Sequence, residues 1–313
     1  MATPDSALPS LVDLADCVVE RTLPRASEGR SGNGLEASGG GVLVARRTVV
    51  RENHSLGAVA FDGGVLRLFD CVVSDTLPQE SNGAFGFALV ASFGGHVSAR
   101  RVLTERNQEG GIVAVGPGAT MDGEDLLVMD HSPLSMRSGF GISASGGGAV
   151  ELRRVSINQV RGAGLAAAPD VNTGTRFGSS LSAQDVFLEG ISGGPIQYDP
   201  CTGDQAMGPL RAYGLFVGAA SALNLTRALL LGGEVAAGAF GGSLSWSAGI
   251  VSRFRQYVVV SGSAVTSSPM LNDITLLDVP TRTLVTDFSL TNESFSLPMI
   301  DPDRPTPGCA RSP

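Results

Sequence analysis

Glycine, aliphatic and alanine residues recur at regular spacing along the first half of the chain. A pattern of glycine, aliphatic, any residue and alanine occurs at Gly34–Ala37 and four more times, and Ala88–Ala91 repeats it without the glycine. The six copies begin at residues 34, 57, 88, 111, 141 and 164, so the intervals are 23, 31, 23, 30 and 23 residues. Self-similarity at periods of about 20–50 residues is typical of solenoids. The sequence therefore predicts stacked coils in which a short coil of about 23 residues alternates with a long one of about 31.

A second apolar pattern lies between these copies, for example at Leu43–Val50 and Leu66–Val73. Its first and third residues are apolar or small, the next two are mostly charged, and the sixth and eighth are again largely apolar. Apolar residues at spacing two indicate β-strands, and the charged pair between them indicates an outward corner. The pattern returns at Val97–Thr104, Met121–Val128, Val150–Ile157, Leu181–Leu188 and Leu223–Leu230. Each coil is thus predicted to have three short strands and three corners.

These patterns predict an all-β chain that forms a parallel β-helix, regular over residues 1–231, with irregular last coils, a cap and a tail over residues 232–313. Coils that stack about 4.8 Å apart place equivalent residues in one shared interior. One predicted interior stack contains Leu43, Leu66, Val97, Met121, Val150 and Leu181, and a second contains Thr48, Cys71, Val102, Leu126, Val155 and Val186. A sandwich or propeller is the alternative, but it requires tight Asn-Gly hairpin turns, and Asn33-Gly34 and Asn82-Gly83 lie at the ends of long loops.

The run from Ala15 to Leu231 resembles the right-handed parallel β-helix repeat proteins of the pectate-lyase-like superfamily. The segment Asp16-Cys17-Val18-Val19 and its copy at Asp70–Val73 also resemble large myxobacterial surface proteins. The resemblance implies a right-handed solenoid. It implies no single activity, because this superfamily includes lyases, hydrolases, adhesins and inert scaffolds.

One outward corner position carries charges of alternating sign along successive coils. In parallel stacking these residues become direct neighbours, so we expect an exposed ladder of ion pairs that favours one register of the coils. A charged rail for a polymer is the functional alternative. The ladder residues are Asp16, Arg47, Asp70, Arg101, Asp125, Arg154, Asp185 and Arg227.

The most enzyme-like cluster is predicted on the outer face of the middle coils. Asp122 and Glu151 share one stacked position, and Glu124 shares another with Arg100 and Arg153. These carboxylates could bind a calcium ion, and by resemblance to lyases of this fold an arginine could act as the base. The catalytic lysine common in those lyases is missing, so a solvated, mutually neutralising patch is the favoured interpretation.

The remaining reactive residue types give weaker signals. We expect His54, His96 and His131 to face solvent without a shared role. Cys17 and Cys71 occupy equivalent inward positions two coils apart, beyond disulfide reach, so both should be buried free thiols. A Cys201–Cys309 bridge is conceivable. The Asn-x-Ser/Thr sites at Asn53, Asn224 and Asn292 carry little meaning in the bacterial protein that the resemblance implies.

Composition narrows the classes of partner. The net charge of −8 disfavours nucleic acid and anionic membrane surfaces, because both repel an acidic protein. The sequence has no run of about 18 apolar residues, so no membrane span is expected. Residues 1–9 do not read as an export signal. Because Asp16 already falls inside a coil, we expect the chain to belong to a longer protein that is extracellular or displayed on a cell surface.

The long coils carry their additional residues after the second strand, as in Thr22–Ser27, Thr76–Ser81 and His131–Ser135. Loops that project from a rigid scaffold are frequent binding sites. The function expected first is a non-catalytic scaffold without a cofactor, whose loops contact a polysaccharide or a surface partner. The alternative is a calcium-dependent polysaccharide lyase or another carbohydrate-active enzyme.

Overall fold

The computed structural model describes residues 10–27, 29, 31–81, 83, 85–131, 139–169, 177–193, 212–261 and 270–277. These residues form one sheet of 19 strands, in which every pairing between strands is parallel, and they include no helix. The strands are β1 Leu11–Ala15, β2 Val18–Glu20, β3 Leu35–Ala37, β4 Val42–Arg46, β5 Val49–Arg51, β6 Leu56–Phe61, β7 Val65–Ser74, β8 Phe87–Ser92, β9 His96–Glu105, β10 Gly110–Val115, β11 Thr120–Met129, β12 Phe140–Ser145, β13 Ala149–Asn158, β14 Ala163–Ala168, β15 Ser180–Glu189, β16 Tyr213–Val217, β17 Ala222–Phe240, β18 Ser243–Ser261 and β19 Met270–Leu277.

The strands repeat as coils. The described residues contain nine coils, which begin at β1, β4, β7, β9, β11, β13, β15, β17 and β18, and β19 begins a tenth. Each long strand, such as β7, pairs along its whole length with its equivalents one coil away, and the shorter strand that follows, such as β8, does the same. The chain is therefore a right-handed parallel β-helix, as the repeat predicts.

Three corners separate the strands of a coil. The first corner lies within each long strand, where one residue has a positive φ, for example Asp70 at 55° and Arg101 at 52°. The second corner follows the long strand and again has a residue in this left-handed region, for example Asp75 at 55°. The third corner, usually at glycine, leads to the next coil. A single left-handed residue bends a strand sharply while the flanking residues keep their pairing.

The interior contains small and medium aliphatic side chains. Both predicted stacks are confirmed: their twelve members are buried, and the pairing joins them rung by rung, as from Val102 to Leu126 to Val155. A large ring, the indole of Trp246, also lies in this interior. It packs so close to Gly249 that a Cβ on that glycine would lie 2.6 Å from Trp246 Nε1. Gly249 therefore makes room for the only tryptophan of the sequence.

The outward face of the shorter strands is also apolar, which the sequence pattern did not predict. Val59, Val90 and Val113 point away from the main interior, yet they are at most 3% exposed and form a separate cluster with phenylalanines. Further along, Tyr213 packs edge-on against Phe216 and Phe240. Small residues such as Gly238 leave space for these rings.

Parallel pairing continues past residue 231: β17 and β18 pair through Phe240, and β18 pairs with β19. The glycine-alanine signal is lost there because the second corner shortens and the strands become continuous. Cys71 is a buried free thiol as expected, but Cys17 is only partly buried, since it lies in the first described coil. Cys201 and Cys309 lie outside the described residues.

Candidate functional site

Charged residues at the first corner pair along the solenoid. Arg47 donates from Nε and Nη2 to the two carboxylate oxygens of Asp16, both at 2.6 Å. The same two-bond arrangement joins Arg101 to Asp70, Arg154 to Asp125, and Arg227 to Asp185. Each arginine thus pairs with the aspartate of the preceding coil.

These contacts influence titration in the expected direction. Hydrogen bonds from the arginines hold the pKa values of the aspartates below their ordinary range, with burial acting in the opposite sense. The groups are exposed, so the ladder mainly selects register and contributes little stability per pair. The aspartates concerned are Asp16, Asp70, Asp125 and Asp185.

The second corner has its own ion pairs, which the sequence reading missed. Arg21 contacts Glu52 at 2.7 Å, and Arg106 donates two hydrogen bonds to Asp75 at 2.8 and 2.9 Å. Hydrogen bonding to Arg106 lowers the pKa of Asp75, and burial opposes this shift. The sequence contains a signal for these pairs: both join residues 31 positions apart, and each partner directly follows the strand that ends at the second corner.

A row of buried polar side chains follows the second corner. Asn53 and Asn107 are fully buried, and their side-chain oxygens accept hydrogen bonds from the backbone N–H groups of Thr22 and Thr76, both at 3.0 Å. In the next coil His131 occupies the equivalent position and is also fully buried. The expectation that His131 faces solvent is therefore wrong, and the burial of Asn53 leaves that amide inaccessible to a glycosylating enzyme.

His131 is held by its neighbours on the preceding coil. Its ring contacts Thr104 Oγ1 through Nε2 and the backbone of Asn107 through Nδ1, each at 3.2 Å. Burial lowers the pKa of His131 to about 4, because the charged form loses its hydration. At neutral pH this imidazole is uncharged.

The predicted metal and catalytic residues are aligned but do not form one centre. Asp122 accepts a hydrogen bond from Ser98 at 2.6 Å and contacts His96 Nε2 at 3.1 Å. Glu124 binds Arg154 at 2.5 Å, and Arg100 lies 3.9 Å from it. Glu151 and Arg153 pair in register with Asp122 and Glu124 through the backbone.

Two of the three proposed metal ligands, Asp122 and Glu124, thus have protein partners that a cation would have to displace. Over the described ranges, no three His, Cys, Asp or Glu side chains lie close enough together to bind a metal ion. The sequence placed these residues on neighbouring coils but could not show which side chains they would contact.

A hydroxyl, imidazole and carboxylate series also lies on this face. Thr120 Oγ1 is 2.9 Å from His96 Nδ1, and His96 Nε2 faces Asp122. The order is that of a nucleophile, a base and an orienting acid. The side chains of His96 and Asp122 are 38% and 45% exposed on an open sheet, so this arrangement does not exclude water from a reaction.

The second corner also carries the insertions of the solenoid. Connections after β2, β7, β11 and β15 are long, whereas those after β5, β9 and β13 span four residues each. The long connections therefore belong to alternate coils. The described parts are residues 21–27, 29 and 31–34 in the first coil and residues 75–81, 83 and 85–86 in the third.

These two loops have matching turns and contact each other. Gly29 N–H binds Arg25 O and Gly83 N–H binds Gln79 O, each at 2.8 Å, so residues 54 positions apart adopt the same turn. Ser81 N–H donates to Gly29 O at 3.2 Å across the short second coil. Gln79 is tied to that coil through Ser55 Oγ at 3.1 Å. The loops thus form one continuous ridge above it.

Comparison with known proteins adds little. No protein-family model matches the chain, and no curated protein matches it. A crystal structure of a TibA fragment hyper-glycosylated by TibC aligns at 14% identity over 83% of this chain and 99% of that one, with a TM-score of 0.17. A superposition this poor carries no argument. Among the described residues, no helix is long and apolar enough to cross a membrane.

Proposed function

We propose that this chain is a non-catalytic scaffold, secreted or displayed on a cell surface, that contacts a polysaccharide through its second-corner loops. The resemblance of Asp16–Val19 and Asp70–Val73 to myxobacterial surface proteins supports the placement outside the cell. The observation that carries the proposal is the paired ridge, in which loops from two long coils share a turn and meet over a short coil through Ser81 and Gly29.

The physical argument concerns spacing. Loops in alternate coils recur about every 9.6 Å, since each coil contributes about 4.8 Å. A regular row of loops matches an extended partner with repeating units better than a single small ligand. The rigid, hydrogen-bonded coils beneath the loops reduce the entropy that binding has to overcome.

A loop exchange tests the proposal. Residues 75–86, the long second corner of the third coil, are replaced with Arg106–Glu109, the natural short connection of the fourth. The stack should persist, because both connections join strands of the same register. On an array of bacterial and plant polysaccharides we expect the parent chain to bind and the exchanged chain to lose at least about tenfold in affinity.

A double variant, Glu151→Gln with Arg153→Gln, alters the outer face of another coil and serves as the matched control. Retained binding by the loop-exchanged chain, or failure of the parent chain to bind any polysaccharide, would overturn the proposal. Unsaturated product formed from a uronate polymer with calcium, followed by absorbance, would show catalysis and contradict a non-catalytic role.

A further inference from the structure

A polar recess of about 330 Å³ lies at the second corner of the fifth to seventh coils. It is lined by His131, Gly190 and four further polar residues, namely Asp130, Gln159, Arg161 and Ser192. Asp130 is half-buried and Arg161 is exposed. The backbone N–H of Arg161 binds His131 O at 3.3 Å, so the two charged residues belong to adjacent coils, about 4.8 Å apart along the stack.

Among the described residues, neither charge in this recess has an ion-pair partner. Elsewhere along the second corner, Glu52 binds Arg21 and Asp75 binds Arg106. Arg106 also contacts Glu105 at 2.8 Å, so it is already occupied by two carboxylates of its own and the preceding coil. Within the part of the chain that the structure describes, no cation lies within 4.0 Å of the Asp130 carboxylate and no carboxylate lies within that distance of Arg161.

We propose that this recess binds a small zwitterion, with the ammonium group at Asp130 and the carboxylate at Arg161. An anion would be attracted by Arg161 and repelled by Asp130, whereas a cation would be attracted by Asp130 and repelled by Arg161. A neutral ligand would leave both charges unpaired. A zwitterion of the α-amino-acid class satisfies both, and the side chains of Gln159 and Ser192 can hydrogen-bond its polar substituent.

The size of the recess agrees with this class. Its volume is at the lower end of the range for small-molecule pockets, which suits a ligand of about ten heavy atoms or fewer. Guanidinium groups bind carboxylates through two parallel hydrogen bonds, a geometry that fixes the orientation of the ligand. The inference does not depend on the polysaccharide scaffold role, because the recess and the described loop ridge lie on different coils.

The test uses the full chain and three matched probes. L-serine has both charges, 3-hydroxypropionate lacks the ammonium group, and ethanolamine lacks the carboxylate. Titration of isotope-labelled protein, followed by NMR, should give saturable shifts for residues 129–131, 159–162 and 190–192 with L-serine at about millimolar concentration. Each single-charge probe should bind at least about tenfold more weakly.

Two variants identify the partners, and a third controls for surface charge. Asp130→Asn and Arg161→Gln should each abolish the serine-dependent shifts, whereas Glu151→Gln with Arg153→Gln on another face should leave them unchanged. Equal binding of 3-hydroxypropionate would make Arg161 a simple anion site and overturn the proposal, as would equal binding of ethanolamine. Shifts with maltose but none with L-serine, or no saturable shift with any probe, would also refute it.

Discussion

Single residues define the corners of this solenoid. A positive φ is uncommon for residues other than glycine, yet arginine adopts it at the first corner, as at Arg47 with 46° and Arg154 with 52°. The corner turns the arginine side chain outward, where it donates hydrogen bonds to the aspartate of the preceding coil. The alternation of charge therefore selects the register, because a slip by one coil would place like charges together.

Removal of one ladder charge tests this role. Arg101→Gln removes both hydrogen bonds to Asp70, so the free energy of unfolding should decrease in low salt. The loss should shrink as salt is added, because exposed charges are screened over about 10 Å at 0.1 M. Urea denaturation at two ionic strengths measures it. Arg153→Gln is the control, and an Arg101→Gln penalty that is indifferent to salt would contradict the electrostatic explanation.

His131 predicts a dependence of stability on pH. Its pKa is lowered from 6.5 to about 4 in the folded chain, so the unfolded chain binds more protons between these values. Stability from this residue is complete above about pH 6.5 and decreases as the pH falls towards 4, by roughly 3 kcal/mol in all.

Urea unfolding from pH 7 to pH 4 measures this decrease. His131→Asn introduces the residue found at the same position in the second and fourth coils, and it should flatten the profile. His96→Asn, at a half-exposed site, is the comparison variant. An unchanged slope in His131→Asn would assign the acid sensitivity to other groups.

At the level of the strand, the third corner depends on close approach between coils. A Cβ on Gly95 would lie 2.1 Å from Ala60 O and 2.4 Å from its carbonyl carbon, and Gly64 meets Ala37 O in the same way. These contacts involve backbone atoms of the neighbouring coil, which cannot rotate away. Glycine therefore precedes the long strands for steric reasons, and not only for conformational freedom.

Gly95→Ala should destabilise the chain by about 3 kcal/mol or more, because two paired coils must separate to accept the methyl group. Gly232 is the matched control: its Cβ would meet nothing within 4 Å, although its φ is +72°. Gly232→Ala should cost about 1 kcal/mol from backbone strain alone. Thermal denaturation of both variants compares them, and equal losses would show that the contact with Ala60 is not limiting.

At the scale of the whole molecule, each coil contacts mainly its neighbours. Among the described residues, β1 and β2 of the first coil pair only with β4 and β5, and Leu11, Val12 and Val18 are 68%, 47% and 59% exposed. The middle coils are paired on both sides and their interior residues are almost fully buried. Stability in such arrays is a sum of coil and interface contributions.

Hydrogen exchange should reveal this gradient. Amides of β9, β11 and β13 should exchange only through openings that break two interfaces, whereas those of β1 and β2 need only one interface to open. Mass spectrometry of peptides from each coil measures the difference. Uniform protection from β1 to β13 would indicate a single cooperative unit instead of nearest-neighbour behaviour.

The amino-acid sequence by itself determined the coil. Spacing-two apolar positions and recurrent glycine require strands and corners whatever surrounds them, so the coil length, the two interior stacks and the position of the ladder residues could be predicted. These properties depend on local pattern and repetition, which a linear sequence displays directly.

Only the tertiary structure decided which neighbouring side chains the charged and polar residues contact. The sequence predicts that Asp122, Glu124 and Glu151 lie on neighbouring coils. Their contacts depend on the side-chain conformations, which place Asp122 beside His96 and Glu124 beside Arg154. The burial of His131 was equally hidden. It depends on Thr104 and Asn107, which lie 27 and 24 positions away and become adjacent only when the coils stack.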